Sequence, residues 1–535
     1  MIAPAAPPSA PGPRPWWEGR PFVVAMIILA FVPLLYPQFP PLVDLPGHMA
    51  RFKVAIDVDT SPFLSEWYSF RWLPIGNLGV DILAIPLAKL LGVELATKWI
   101  VMLTPPLTVA GMLWVAREVH NRLPPTVAFA LPLAFGHPFM FGFLNFSLSM
   151  ALAMLAFGLW LRLGRLGKPK LRAMLFVPIS FIVFFAHTFG WGTLGLLCFS
   201  AEAVRQHDRG WSWWKAGLRA AFHAAAMALP ALLMVMWRTG ASGGVTKAWF
   251  AWSFKLEYFE RALRDRWEWF DLAALGIVVL VPVVALFHRR LVLSRNLAFS
   301  GLMLAACFVL LPRIIFGSAY ADMRLVPYVL AIFILAIRFK AETTFPLARI
   351  LALAGLAFLL ARTAGTTASL AIAADHQRRQ LTVLEAVPMG SRVVSLVWAP
   401  CGGWAMRRGD HLPSMVIVRR EGFSNDQWPL AGSSLLTTRY PEAGWFKADP
   451  SGVVRSEGCR REGVPIALSL RSIPRDAFDY LWLVDFPPTP RALVAGWEPV
   501  AIAPGSLLLR RTASPPPDAE APRLRIRRTE TAIGR

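Results

Sequence analysis

Five short stretches carry residue types suited to chemistry, and each lies beside or between long apolar runs. The first is Asp44-Leu-Pro-Gly-His48, followed by Arg51 and Lys53, in a loop that extends over 39–78 and also holds Asp57, Asp59, Glu66, Trp67, Tyr68 and Trp72. A carboxylate such as Asp44 can accept a proton, and imidazole or guanidinium groups such as His48 and Arg51 can hold an anion. Asp44 also suits the cap of a helix starting near Pro46. The second stretch is the aromatic turn Phe135–Ser147, whose polar members are His137 and Asn145; a buried Asn more commonly bonds between helices. The third, Ala186–Gly192, places His187 in an apolar hairpin, where it requires a partner or a polar cavity. In the fourth, Gly317–Pro327, Tyr320, Asp322 and Arg324 stand at the start of an apolar run. Asp322 and Arg324 either pair locally or leave the Arg to hold a phosphate. The fifth, Lys247–Phe270, mixes aromatics with both signs of charge and reads as an amphipathic helix lying in a membrane interface.

The elements that position these groups follow from composition. The chain has 535 residues, 56% hydrophobic and only 16% charged, against roughly 25% charged in soluble domains. It lacks the polar surface to face water everywhere, so the expected class is a polytopic α-helical membrane protein. The net charge of +22 does not point to nucleic acid. Basic residues fall in clusters between apolar runs, such as Arg162–Arg172 and His288–Arg295, the distribution produced by retention of Lys and Arg on the cytoplasmic side. The 22 Trp suit an interfacial belt.

Apolar runs at 21–36, 97–116, 126–141, 143–163, 172–187, 188–205, 217–237, 271–287, 297–316, 325–339 and 346–363 give about eleven spans over 21–365. The first follows a Pro- and Ala-rich tail (1–20) and lacks a cleavage pattern, so it is read as uncleaved with a cytoplasmic N-terminus. Basic clusters at 117–122, 162–172, 205–219, 288–295 and 338–349 then share the cytoplasmic side, provided that 79–92 does not cross. That segment carries Asp81, Pro86 and Lys89 and reads as an interfacial or re-entrant helix. The chemistry-bearing stretches, by the same count, collect on the outer side.

After about Asp375 the pattern changes. A helix over Gln377–Ala386 leads into strands at Ser391–Trp398, Ser414–Val418, Val464–Ser469, Tyr480–Asp485 and Ser506–Leu509. Residues 375–511 are expected to form a small extracytoplasmic α/β domain, and 512–535 a disordered Pro- and Arg-rich tail. Cys401 and Cys459 stand there as a disulfide pair or as two free thiols. No cysteine spacing resembles a zinc site, and no glycine loop suited to cradling phosphates occurs, so no nucleotide cofactor is expected. A divalent metal is left open.

An uncleaved first span, an acidic residue directly after it at Asp44, a long aromatic outer loop, many irregular spans and a terminal α/β region together resemble the GT-C superfamily of membrane glycosyltransferases. The sequence-level anchor is Asp44 to Arg51; many members carry an adjacent acidic pair here, whereas Asp44 is followed by Leu45. The resemblance implies transfer of a hexosyl or pentosyl group from a polyprenyl-phosphate donor to a cell-envelope lipid or polysaccharide at the periplasmic face of a bacterial inner membrane. Asp44 is then the candidate catalytic base. His48, Arg51, His137, Asn145, His187, Tyr320, Asp322 and Arg324 are candidates for substrate binding. The expected partners are the lipid-linked donor, the envelope acceptor and membrane lipids, with no nucleic acid. A transporter or flippase for such envelope molecules, or a non-catalytic scaffold in polysaccharide assembly, are the alternatives. The absence of repeats and the one-sided polar residues favour the enzyme.

Overall fold

The computed structural model describes residues 15–238, 245–315, 317–340, 345–428, 434–448, 453–455 and 464–512. Of the expected tails at 1–20 and 512–535, residues 1–14 and 513–535 lie outside these residues, as does Cys459, whereas Trp16–Glu18 forms a helical turn just before α1; Cys401 is disulfide-bonded.

Helix α1 (Arg20–Leu29) is apolar and opens with Pro21 in its first turn, where a missing N–H costs nothing. The long loop that follows is ordered. It contains α2 (Leu45–Asp57) and a short strand, β1 (Tyr68–Phe70). Next comes α3 (Gly79–Leu91), the segment whose crossing decides the sidedness of everything downstream. Its 13 residues rise ~20 Å, short of the ~30 Å hydrocarbon core. It ends at Gly92, whose φ of +77° turns the chain into α4 (Val93–His120).

Helix α5 (Leu144–Arg165) packs along α4, and α6 (Pro169–Ala186) and α7 (Thr188–Asp208) pack in turn on α5. They bury Phe157, Trp160, Phe176 and Leu197 between them. Further along run α8 (Trp252–Glu260), α9 (Glu268–Phe287), α10 (Arg295–Leu310), α11 (Val326–Leu335) and α12 (Phe345–Gln380). Among the described residues, five helices are long and apolar enough to cross a membrane: α4, α5, α6, α9 and the long segment Phe345–Ala386 headed by α12. Four further apolar stretches form shorter helical pieces among the described residues: Arg20–Leu35, Val127–Phe141, Arg295–Leu310 and Met323–Leu335. Large apolar side chains such as Leu280, Leu286, Leu302 and Ile350 stay exposed along these helices, as lipid-facing residues do and a water-facing surface would not.

Two small ladders connect distant stretches. Strand β2 (Leu291–Leu293) pairs antiparallel with β3 (Ile337–Phe339), which brings the basic cluster at 288–295 level with Arg338 and Lys340. Strand β1 pairs antiparallel with β6 (Leu436–Thr438), so the loop at 39–78 is stitched to the C-terminal region.

That region is built on a mixed sheet. Strand β4 (Arg392–Ala399) runs parallel to β5 (Phe423–Ser424), β7 (Val453–Arg455) and β9 (Tyr480–Val484). Strand β8 (Val464–Pro465) lies beyond β7, and the antiparallel pair β10 (Trp497–Ala503) and β11 (Ser506–Arg511) extends the β9 side. Strands β4 and β9 are buried on both faces, which accounts for their nearly continuous apolar sequences. Two expected strands differ. Ser414–Val418 lies largely within a short helix, α13 (Met415–Arg420), because Ser414 is held by Asp426 through its N–H (3.0 Å) and its hydroxyl (2.6 Å) just where the turn begins. Val464–Ser469 pairs only over two residues before Ile466–Arg471 turns helical. The helix expected at Gln377–Ala386 is not separate either. Helix α12 runs on for 36 residues, ~54 Å at 1.5 Å per residue, and carries the chain from the apolar bundle to the sheet without a break.

Candidate active site

Asp44 ends the extended segment after α1 and sits at the cap position of α2, but its side chain makes no capping hydrogen bond. Its backbone N–H instead donates to the Phe141 carbonyl at 2.9 Å. The tight approach depends on Gly142: at φ +98°, a Cβ there would lie 2.8 Å from the Asp44 nitrogen, so both the conformation and the space call for glycine. The Asp44 carboxylate, 8% exposed as a residue, points at His411, with Oδ1 to Nε2 at 3.7 Å. His411 is oriented from behind by Asp426, which accepts from Nδ1 at 2.7 Å. Trp428 packs on both His411 and His48, and lies so close to Gly47 that any side chain at 47 would collide with its ring.

His411 reaches the loop because its own segment is tied to the helical bundle. Arg264 donates to the carbonyls of Gly403 and Ala405 at 3.2 and 3.1 Å, and also to that of Trp404. Arg408 pairs with Asp265 at 2.5 Å, and Trp404 Nε1 donates to Asp271 at 2.8 Å. Asp271 in turn holds Arg362 of α12 at 2.7 Å. The segment 403–411 is therefore strapped to the turn between α8 and α9.

On the other side of Asp44 stands Arg324, in the helical turn before α11. It is 7% exposed, and its guanidinium lies over the rings of Phe143, Phe146 and Phe189 at 4.6, 5.7 and 5.3 Å. Among the described residues no carboxylate lies within salt-bridge distance of it. Its polar contacts are long, 3.4 Å to Ser318 Oγ and 3.5 Å to His187 Nε2, and its Nε has no partner. Arg324 lies over Phe143, while Asp44 is bonded to Phe141 and packed against Gly142, so the two residues meet at the 141–143 turn. His187 caps α7: Nδ1 accepts from the Phe189 N–H at 3.1 Å. An accepting Nδ1 leaves the proton of a neutral ring on Nε2. Nε2 and the Arg324 guanidinium are then two donors converging on one place, an arrangement that calls for an anionic acceptor between them.

The remaining candidates divide. His48 is buried against Gly142; burial first, then the charges of Arg51 and His411, hold its pKa well below the usual imidazole range, so it is neutral. Arg51 is committed to Asp81 through two hydrogen bonds of 2.8 and 3.0 Å. Asn145 bonds the same carboxylate at 2.9 Å, the Asn77 carbonyl at 2.8 Å and the Val80 N–H at 2.5 Å. This buried knot fastens α2 and α3 to the start of α5. His137 is 3% exposed with neither ring nitrogen partnered, and it meets Phe141 edge-on. Tyr320 adopts φ +63° and packs on Phe141 and Phe143. Asp322 does not pair with Arg324; it takes Lys255 at 2.8 Å, and Lys255 also donates to the carbonyls of Phe308 and Leu311. The stretch Lys247–Phe270 is thus not one helix: it holds the nine residues of α8, with Lys255 turned inward, and then the first turn of α9 from Glu268.

His411, Asp426 and Trp428 were not singled out from the sequence. His411 is one of nine histidines in the chain, and nothing in its neighbourhood marks it until the sheet and the 403–411 strap bring it to Asp44. Among the described residues no group of three or more His, Cys, Asp or Glu side chains is placed to hold a metal ion.

No protein-family model and no curated protein matches the sequence. Solved structures do. ArnT from Cupriavidus metallidurans, bound to undecaprenyl phosphate, superposes with a TM-score of 0.51 at 11% identity, over 93% of this chain and 98% of that one. The same protein in the apo state gives 0.51 at 12% identity over the same shares. Over nearly its whole length the chain therefore shares the fold of ArnT.

Proposed function

We propose that the chain is a membrane glycosyltransferase that moves a sugar from a polyprenyl-phosphate donor to a cell-envelope lipid or polysaccharide. The observation that carries this reading is that the 141–143 turn holds both Asp44 and a buried Arg324 that has no ion-pair partner of its own among the described residues. Transfer from a lipid phosphate needs a base at the acceptor and positive charge at the leaving group. Asp44 takes the proton from the acceptor nucleophile as that atom bonds to the sugar's anomeric carbon. The bond from that carbon to the phosphate oxygen breaks, and the lipid phosphate leaves with the bonding pair. Arg324 and the Nε2 proton of His187 receive the phosphate's charge. His411, held by Asp426, keeps the Asp44 carboxylate in place and offers a route for its proton. Tyr320, Phe141 and His137 form the adjoining wall, where a sugar ring can stack.

In this reading the apolar runs make about eleven crossings of a bacterial inner membrane, with a cytoplasmic N-terminus. The pairing of β1 with β6 supports an active face shared by Asp44 and the C-terminal sheet, which we assign to the periplasmic side. The undecaprenyl phosphate bound to ArnT is a polyprenyl phosphate of the class proposed for the donor here. The test is Asp44→Asn, assayed for transfer from a lipid-linked sugar in purified, folded protein. A loss of about 10²–10⁴-fold is expected for a removed general base; full retention of activity takes Asp44 out of the mechanism.

A further inference from the structure

Helix α5 starts at Leu144, next to Gly142 and Asp44, and ends 22 residues later at Arg165. That length rises ~33 Å, about the thickness of a bilayer's hydrocarbon core. The far end of α5 therefore opens on the opposite membrane face, and a second recess lies there. It encloses about 610 Å³ between the start of α1 and the last turns of α4 and α5. Arg20, Arg117, Arg162 and Arg165 line it, against a single acid, Glu118.

Glu118 does not neutralise the recess, because it is already used. Its Oε1 accepts from Trp114 Nε1 (3.3 Å) and Arg162 (3.2 Å), and its Oε2 accepts from Arg165 Nε and Nη2 at 3.1 and 2.6 Å. The carboxylate is buried while the arginines stay exposed toward the opening. Four guanidiniums against one carboxylate leave three positive charges. Among the described residues, Arg20 and Arg117 have neither an ion pair nor a side-chain hydrogen bond. Surface arginines that only mark the cytoplasmic side would have no need to be gathered around a buried acid that orients two of them. The inner wall is apolar, formed by Val23, Ala110 and Leu113, which suits an acyl chain and is of no use to a free ion.

We infer that this recess binds the phosphate headgroup of an anionic phospholipid, with Arg20 and Arg117 as its direct ligands and its chains along α1 and α4. The site is separate from the proposed donor site, and its occupancy is independent of the transfer reaction. The test uses the full-length protein purified in detergent and supplied with phosphatidylglycerol, phosphatidylcholine or inorganic phosphate, with retained lipid counted by native mass spectrometry and unfolding followed thermally. Phosphatidylglycerol is expected to be retained and to protect in preference to phosphatidylcholine. Arg20→Gln and Arg117→Gln should each weaken that preference about fivefold, the scale of one arginine at an anionic headgroup. Both side chains are exposed, so the single variants will fold even where the double variant does not. Equal retention of the two lipids by the unaltered protein, or undiminished preference in both single variants, overturns the proposal. Protection by inorganic phosphate equal to that by phosphatidylglycerol, and lost in the same variants, overturns the assignment to a lipid.

Discussion

At the scale of single residues, Asp44 and Arg324 hold different positions in the proposed reaction, and their variants should separate kinetically. Arg324→Lys keeps a charge but loses the planar fork and the stacking on Phe143, Phe146 and Phe189. It is expected to raise the donor KM and lower kcat together. His411 touches no substrate in this scheme and acts through Asp44. His411→Ala should lower kcat with little change in donor KM. In a double-mutant cycle with Asp44→Asn the two effects should be non-additive by about 0.5–3 kcal/mol. Strict additivity would mean that the 3.7 Å approach of the two side chains has no part in the reaction.

Elements are held in register by buried polar groups that the reaction does not use. Asp81 is fully buried and receives both Arg51 and Asn145. Replacing one partner of such a pair leaves the other uncompensated, at a cost of about 3–5 kcal/mol. Asp81→Asn should therefore destabilise the protein by about that amount in detergent unfolding, whereas Asp59→Asn, at an exposed position just past α2, should scarcely register. Gly142→Ala adds a Cβ both at a positive φ and against the Asp44 backbone. It should lower activity at least as much as stability, because the displaced residue is Asp44 itself. Comparing thermal unfolding with turnover in that variant tests whether the 141–143 turn places the base.

For the whole molecule, the C-terminal sheet carries its own pH dependence. Burial alone would raise the Asp479 carboxyl, but hydrogen bonds from the Arg392 side chain and backbone, with the guanidinium charge, outweigh it and hold the pKa below the ordinary aspartate value. A carboxyl with a lowered folded-state pKa contributes stability that is present above its unfolded pKa, near 4, and is lost as pH falls through the folded value. Acid below about pH 4 should thus loosen the sheet, read by the fluorescence of buried Trp482, and Asp479→Asn should flatten that dependence. Because β1 pairs with β6 and His411 leans on Asp44, loosening the sheet should also remove activity before the helical bundle unfolds.

Composition and apolar periodicity were enough to read a polytopic membrane protein, since a chain with so few charges has no other way to cover its surface. The strands β4, β9 and β11 were legible because fully or largely buried strands need continuous apolar residues, whereas α13 was not: Met415–Val418 is as apolar as a strand, and only the Asp426 contacts turn it helical. Asp44 stood out through its place directly after the first apolar run, and Arg324 through its position at the head of another. What the sequence could not supply was pairing. Whether Asp322 takes Arg324 or Lys255, whether Arg51 faces a phosphate or Asp81, and whether Asp44 meets a histidine 367 residues away depend on which helix ends come to one level. Those partners are distant in the chain, and local spacing carries no record of them. The tertiary structure assigned them, committing Arg51 to Asp81 and Asp322 to Lys255 and leaving Arg324, at the same 141–143 turn as Asp44, as a buried cation without a carboxylate in salt-bridge range among the described residues.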